Sequence, residues 1–334
     1  MTANVANIPG FQVIRPVGTG RTSHVFLAKD KLGRDVALKV PKPEIFQDPA
    51  LVKMFANEVM LSRSLEHPNI VPTFDGHPNG PTTHLSMKYF PNGTIEEVDF
   101  MSLTAMRILR DIAAALEYIH GRRIAHQDIK PGNIYLHEGR AYLADFGGAA
   151  NETQDGQVAG SPFYMAPELY VGERGSARSD IYSLGIVAYE VLTGVRPIVG
   201  ETIEQLQAGH LAKVPAPVRS LKPSLPREVA NIVDRAIAKN PLQRPNAGEF
   251  RRAFETALEG SGDDSRKAQP TPTNQVNTPT LPDPPAPETP APTPIIGRAK
   301  TDTPTVTPVR RIEATSMRAK DEPKSLLSRL LKRK

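Results

Sequence analysis

The 334-residue sequence contains no cysteine. Disulfides and thiolate metal sites are therefore excluded, and the composition fits a reducing compartment. The first ten residues, MTANVANIPG, hold neither a basic cluster nor an apolar run, so no secretory signal is expected there. Long apolar runs are missing too. The most apolar stretch, near 184–192, is broken by Tyr189 and Glu190 and is far too short for a bilayer. The expectation is a soluble, cytoplasmic protein. Net charge is also missing from most of the chain. Residues 1–260 hold 28 Lys+Arg and 28 Asp+Glu, while 261–334 hold 13 and 8, so the whole +5 lies in the last segment. A charge-balanced 1–260 gives no reason to expect nucleic-acid binding.

Aromatic and aliphatic side chains are nearly absent from Pro270 to Pro308, where proline and threonine dominate. Such a stretch cannot bury enough surface to offset its ordering entropy, so 261–323 is expected to be a disordered linker. Thr-Pro recurs there at Thr271, Thr278, Thr289, Thr293, Thr303 and Thr307. The repeats read either as plain linker composition or as phosphoacceptors that a phosphothreonine-reading partner would bind. In 324–334, Leu326, Leu327, Leu330 and Leu331 form a stripe beside five basic residues. That segment reads as a short helix for a membrane surface or a partner, or as a solvated basic end.

The densest chemistry lies in His126-Gln127-Asp128-Ile129-Lys130-Pro131-Gly132-Asn133, followed by Asp145-Phe146-Gly147. Apolar residues 134–136 and 141–144 between them predict two short strands presenting these groups. Phosphoryl transfer needs such a set: a carboxylate for the proton of the attacking hydroxyl, a lysine for the moving phosphate, and oxygen donors for Mg²⁺. Upstream, Phe11–Val17 and Val25–Ala28 read as strands joined by Gly18-Thr19-Gly20-Arg21-Thr22-Ser23. Taken alone, this is either a hairpin turn or a backbone cradle for phosphates. A third strand, Asp35–Val40, carries Lys39, and apolar spacing over Leu51–Leu65 predicts a helix bearing Glu58. A strand is expected over Thr83–Phe90. A long amphipathic helix is expected over Ser102–His120, with Leu103, Met106, Leu109, Ile112, Ala113, Leu116 and Ile119 on one face.

These motifs, in this order, resemble those of eukaryotic-type serine/threonine protein kinases. So do Gly160–Glu168, Ser179–Gly185 and Arg244; Tyr182, where most members have tryptophan, points to a bacterial source. The resemblance covers roughly 10–258. It implies an α+β, two-lobed fold with a β-rich N-lobe (about 10–90) and a helical C-lobe (about 91–258), followed by the disordered tail. It implies ATP and Mg²⁺, with Mn²⁺ as an alternative, and protein substrates. Asp128, Lys130 and Asn133 would be catalytic, and Asn133 and Asp145 would hold the metal. Gly18, Gly20 and Ser23 would cover the phosphates, while Lys39, set by Glu58, anchors them. Val25 and Ala37 would lie above the adenine and Leu136 below it. Met87 would guard the pocket, and Tyr89 and Phe90 would offer backbone groups to the base. Asp180 would accept N–H bonds from the catalytic loop, Glu168 would pair with Arg244, and Ser161 would bond the catalytic aspartate and lysine.

Two departures matter. Ser23 replaces a glycine of the phosphate loop, which is expected to stiffen it modestly. Gln127 replaces the arginine that reads an activation-segment phosphate, and Phe146–Pro167 contains no Lys or Arg. Activity is therefore expected without a phosphate on Thr153 or Ser161. Two rival readings are a nucleotide-binding scaffold that presents the tail and a small-molecule phosphotransferase. The scaffold is disfavoured by the presence of Lys39, Asp128 and Asp145, and the phosphotransferase by Gly160–Glu168.

Overall fold

The computed structural model describes residues 8–97, 102–151 and 160–260. The expected linker with its Thr-Pro sites, the basic segment 324–334 and Thr153 lie outside the described residues.

Five short strands build the first layer. Strands β1 (Gln12–Thr19), β2 (Ser23–Lys29) and β3 (Asp35–Pro41) pair as antiparallel neighbours. Helix α1 (Pro49–Ser64) follows, and β4 (Thr73–His77) and β5 (His84–Lys88) complete a sheet ordered β1-β2-β3-β5-β4. In β3, Val36 and Leu38 are buried in a cluster with Ile8 and Ala28, so Ala37 and Lys39 take the opposite face. Helix α1 starts where the Asp48 carboxylate accepts the Ala50 N–H at 2.8 Å, with Pro49 in the first turn. Its Phe55 and Val59 pack with Ile45 and Leu85. Glu58 lies on the adjoining turn and is only 2% exposed.

The second layer is organised by α2 (Ser102–His120). Met106, Leu109, Ile112, Ala113, Leu116 and Ile119 are buried, as the helical spacing requires, and Ala105, Ile108 and Ala115 are buried as well. Leu103 departs from the expected face: it is 39% exposed in the first turn, ahead of the buried row. Strand β6 (Ile124–Ala125) leads into the catalytic-type loop. Strands β7 (Ile134–His137) and β8 (Arg140–Leu143) form a hairpin, and β9 (Ala150–Asn151) returns to pair with β6. The hairpin turns at Glu138 and Gly139, with φ of 50° and 74°, the left-handed pair that a two-residue turn needs.

Helix α3 (Pro167–Tyr170) is one turn. Helix α4 (Ala177–Thr193) begins in a capping box between Ser176 and Ser179 and ends at Gly194 in left-handed geometry. It is buried throughout its middle and packs against α2. Helices α5 (Ile203–Ala212), α6 (Val218–Leu221), α7 (Arg227–Ala236) and α8 (Ala247–Gly260) complete the layer. A Cβ at Gly185 would lie 2.8 Å from the Ala236 Cβ, so glycine is what lets α4 and α7 approach. Arg244, fully buried, meets the Glu168 carboxylate at 2.7 and 2.8 Å and gives its other N–H groups to the carbonyls of Ala238, Lys239 and Arg178. Both charges are therefore paired and satisfied, the condition under which burial is tolerated. No helix among the described residues is long and apolar enough to cross a membrane.

Candidate active site

A cleft of about 1150 Å³ runs between the sheet and the helical layer. From the sheet side it is lined by Gly18, Gly20, Ser23, Val25, Ala37, Lys39, Glu58, Met87, Tyr89 and Phe90. From the other side come Asp128, Lys130, Asn133 and Asp145. Chain alternation places the upper set: Ala37 and Lys39 share the face of β3, and Lys39 pairs with Val25 across the sheet.

Leu136 is not in the cleft, contrary to expectation. It packs against the main core of the helical layer, and Tyr135 lines the cleft instead. The reason is the hairpin pleat. Ile134 and Leu136 point one way with Leu143 and Ala141, while Tyr135 and Tyr142 point the other. The Tyr135 ring stacks on Phe90 at 5.1 Å, and Phe90 meets Tyr142 at 5.0 Å. The floor is thus aromatic. The signal that could have found it is the strict two-residue period counted from buried Ile134.

Lys39 is the centre of charge. Its ammonium lies 2.5 Å from Glu58 Oε1 and 3.2 Å from Asp145 Oδ1. Burial alone would discharge the lysine, but Asp145 and Glu58 outweigh it and hold its pKa above the ordinary value. Burial also works against Asp145, yet the Lys39 charge pulls its carboxyl down to about 2. For Glu58, burial wins over the pull of Lys39 and pushes the carboxyl up to about 7. Asp145 has φ 66°, a left-handed conformation rare for a side-chain-bearing residue, and accepts the Gly147 N–H at 3.4 Å.

The loop 126–133 is pinned from below. Asp180, fully buried at the start of α4, accepts the N–H groups of His126 at 2.8 Å and Gln127 at 2.7 Å, and His120 Nε2 lies 2.8 Å away. Gln127 also takes a left-handed φ, 67°. Above this support, Lys130 Nζ donates to Asp128 Oδ2 at 2.7 Å and to Ser161 Oγ at 3.0 Å. The Ser161 hydroxyl donates to Asp128 Oδ1 at 3.0 Å. Asp128 is thus within reach of a hydroxyl proton already.

The residues fit the groups that the resemblance implies. Asn133 gives its Nδ2 hydrogens to Asp128, at 2.8 Å to the carbonyl and 3.1 Å to the carboxylate. Its side-chain oxygen and Asp145 Oδ2 remain for a cation, and both are the hard oxygen donors that Mg²⁺ takes. Among the described residues no three His, Asp or Glu side chains are placed to hold a metal by themselves. Mg²⁺ itself asks for only one or two protein carboxylates and takes its other ligands from phosphate and water. At Gly18 and Gly20 a Cβ would meet protein atoms no closer than 3.8 Å, so nothing in the protein itself forbids a side chain there. The space is left for a ligand to approach the backbone. Ser23 behaves differently from a loop glycine: it opens β2 opposite Pro41, is 1% exposed, and has no positive φ. The Gly20 N–H bonds its carbonyl at 2.8 Å.

The chain belongs to the protein kinase domain family, whose sequence model matches residues 11–253. Among curated relatives, it is 33% identical to serine/threonine-protein kinase PrkC of Bacillus subtilis over 251 residues, 72% of this chain and 39% of PrkC. It is 34% identical to PknB of Mycolicibacterium smegmatis over 270 residues, 75% of this chain and 43% of that protein. With PknA of Mycobacterium tuberculosis it shares 34% over 255 residues, 71% of this chain and 58% of the relative. The matches therefore span about two fifths to three fifths of these relatives' length.

Proposed function

We propose that this protein is an ATP-dependent serine/threonine protein kinase that moves the γ-phosphoryl group of ATP to hydroxyls of protein substrates. The single observation that carries the reading is Asp128 accepting a serine hydroxyl at 3.0 Å while Lys130 reaches both, within one cleft with the Lys39–Asp145 pair. A scaffold without chemistry has no need for that alignment.

In the proposed reaction the substrate hydroxyl takes the place beside Asp128 where Ser161 now points. Its proton passes to the Asp128 carboxylate as its oxygen bonds the γ-phosphorus. The bond from that phosphorus to the β,γ-bridging oxygen breaks, and ADP leaves. Lys130 offsets charge on the phosphoryl oxygens in flight, and Lys39 holds the α- and β-phosphates. Asn133 and Asp145 would hold Mg²⁺, or Mn²⁺ in its place, which when bound supplies positive charge beside the phosphates. The Gly18–Ser23 loop excludes water from above, with Val25, Ala37 and Met87 against the base and the backbone of Tyr89 and Phe90 at its edge. Tyr135 takes the floor position. The kinase unit in this reading is 10–258, working on cytoplasmic proteins.

Gln127 supports a further part of the reading, activity without an activation-segment phosphate. Its amide fills the space over Gly175, where a Cβ would lie 2.6 Å from Gln127 Cδ. The residue in that place is uncharged. Phosphatase-treated protein should transfer phosphate as fast as untreated protein, and Thr153→Ala should do the same. Loss of nearly all activity in either would contradict this. The Thr-Pro sites of the tail are proposed as targets of the enzyme itself, read by a phosphothreonine-binding partner. Mass spectrometry after incubation with ATP tests that, and an unmodified 261–334 beside other labelled sites would overturn it.

A further inference from the structure

Residues 160–168 contain no Lys or Arg, yet the stretch is held closely. Ser161 is fixed by Asp128 and Lys130, and the Tyr164 N–H returns to the Ser161 carbonyl at 2.9 Å. Ser183 of α4 donates to the Tyr164 carbonyl at 2.8 Å, and Tyr170 donates to the Pro162 carbonyl at 2.5 Å. Glu168, at the end of the stretch, is held by its buried pair with Arg244, and a second ionic anchor comes from the loop after α4. Arg196, in the loop after α4, donates to Glu190 through Nε at 3.1 Å and Nη2 at 2.8 Å. The Tyr164 hydroxyl donates to the other Glu190 oxygen at 2.9 Å, and Arg196 Nη2 lies 3.4 Å from that hydroxyl. The guanidinium also covers the Phe163 ring, with its carbon 4.6 Å from the ring centre. Arg196 is about one-third exposed and Glu190 about one-quarter, so the cluster is shielded without being sealed.

We infer that Arg196 is a positioning residue that clamps Phe163 and Tyr164 onto Glu190, and so holds Ser161 against Asp128 without any activation-segment phosphate. A planar guanidinium does what a phosphate–arginine pair would do, with the ions in a different place. One edge binds the carboxylate through two N–H groups while one face covers an aromatic ring, and a lysine ammonium, a compact point charge, cannot reproduce both contacts with that planar geometry. The two residues between Ser161 and Tyr164 leave little slack, so freeing Phe163 frees the surface against which a substrate hydroxyl must line up with Asp128. Because small displacements of a reacting group cost rate steeply, the effect should fall on the protein acceptor and not on ATP. The positioning half of this inference rests on the kinase reading, and the clamp itself does not.

The test compares wild type, Arg196→Ala, Arg196→Lys and Phe163→Leu in the full chain. Hydrogen exchange is read on the peptide covering 160–168, and phosphate transfer to a protein acceptor is measured beside it. Arg196→Ala should exchange about tenfold faster at 160–168 with α2 unchanged. Its kcat/KM for acceptor should fall about tenfold, mainly through KM, with KM for ATP within about twofold. Arg196→Lys should recover part of both, and Phe163→Leu should show part of the loss while its ion pair stays intact. Unchanged exchange in Arg196→Ala and Phe163→Leu would overturn the clamp. Faster exchange with unchanged transfer would overturn the positioning role, and so would equal loosening of 160–168 and α2. If wild type transfers no phosphate, the exchange result still decides the clamp, and it is the kinase reading that fails.

Discussion

The Lys39 ammonium stands 2.5 Å from Glu58 and is shared with Asp145 at 3.2 Å, so one buried cation joins the sheet, helix α1 and the Asp145–Gly147 turn. Neither carboxylate is redundant. Both hold the ammonium, and Glu58, the nearer and more deeply buried, fixes where the lysine points. Glu58→Gln should leave Lys39 charged against Asp145 but free to swing toward it. The expected result is a Kd for ATP raised about tenfold with the fold retained. Isothermal titration with nucleotide reads this directly, and unchanged affinity would show that Asp145 alone places the lysine.

Ser23 and Gly20 should respond in opposite ways. Ser23 is buried at the start of β2 with ordinary backbone geometry. Restoring glycine there gains nothing for the phosphate loop and costs about 0.5–1 kcal/mol of strand stability. Ser23→Gly should therefore keep its KM for ATP within about twofold while melting slightly lower. Gly20→Val has room in the protein but projects into the cleft, and should raise KM for ATP severalfold. Steady-state kinetics at saturating acceptor separates the two.

Tyr135 and Leu136 form a second contrasting pair. Leu136→Ala removes a contact with the core and should destabilise by about 2 kcal/mol, the low end for a partly buried leucine, with little change in nucleotide affinity. Tyr135→Ala should weaken nucleotide binding severalfold, more than Leu136→Ala does. Urea melts and nucleotide titrations on both variants check this. The reverse pattern would return Leu136 to the floor of the cleft.

Much of this site is legible in the sequence because its chemistry is local. Asp128, Lys130 and Asn133 sit on one loop, and the Asp180 carboxylate that pins the loop announces itself in the helix start at Ser179–Gly185. Lys39 and Glu58 are read from separate segments only because each lies in its own recognisable pattern. The errors occur where a face must be chosen. Leu136 and Tyr135 are neighbours of opposite orientation, and the choice depends on which side of the hairpin meets the core. Leu103 continues the apolar period of α2 but lies ahead of the buried row. Arg196 carries no sequence signal, because its partners Phe163 and Tyr164 are more than thirty residues away and meet it only after α4 folds.

His210 gives a pH-dependent term in stability. It is fully buried, and its Nδ1 lies 2.9 Å from the Tyr182 hydroxyl. Burial, with help from Lys239, lowers its pKa to about 4. The folded state therefore binds the proton less well than the unfolded chain does. The His210 contribution is complete above about pH 6.5 and is lost as pH falls toward 4, on the order of 2–3 kcal/mol. The difference between His210→Gln and wild type isolates the histidine. That difference should shift in favour of the variant by about 2–3 kcal/mol from pH 7 to pH 4 in urea melts, and a flat difference would contradict the buried neutral state.

The central claim is that Asp128 serves the proton of a transferred hydroxyl. The measurement is transfer of labelled γ-phosphate from ATP with Mg²⁺, wild type beside Asp128→Asn, with the labelled residues mapped by mass spectrometry. Label is expected on serine or threonine in the wild type and at least about a hundredfold less in Asp128→Asn, about 3 kcal/mol of lost transition-state stabilisation, with nucleotide still raising the melting temperature of both. Equal labelling by the two proteins, or nucleotide binding without transfer by either, would contradict it.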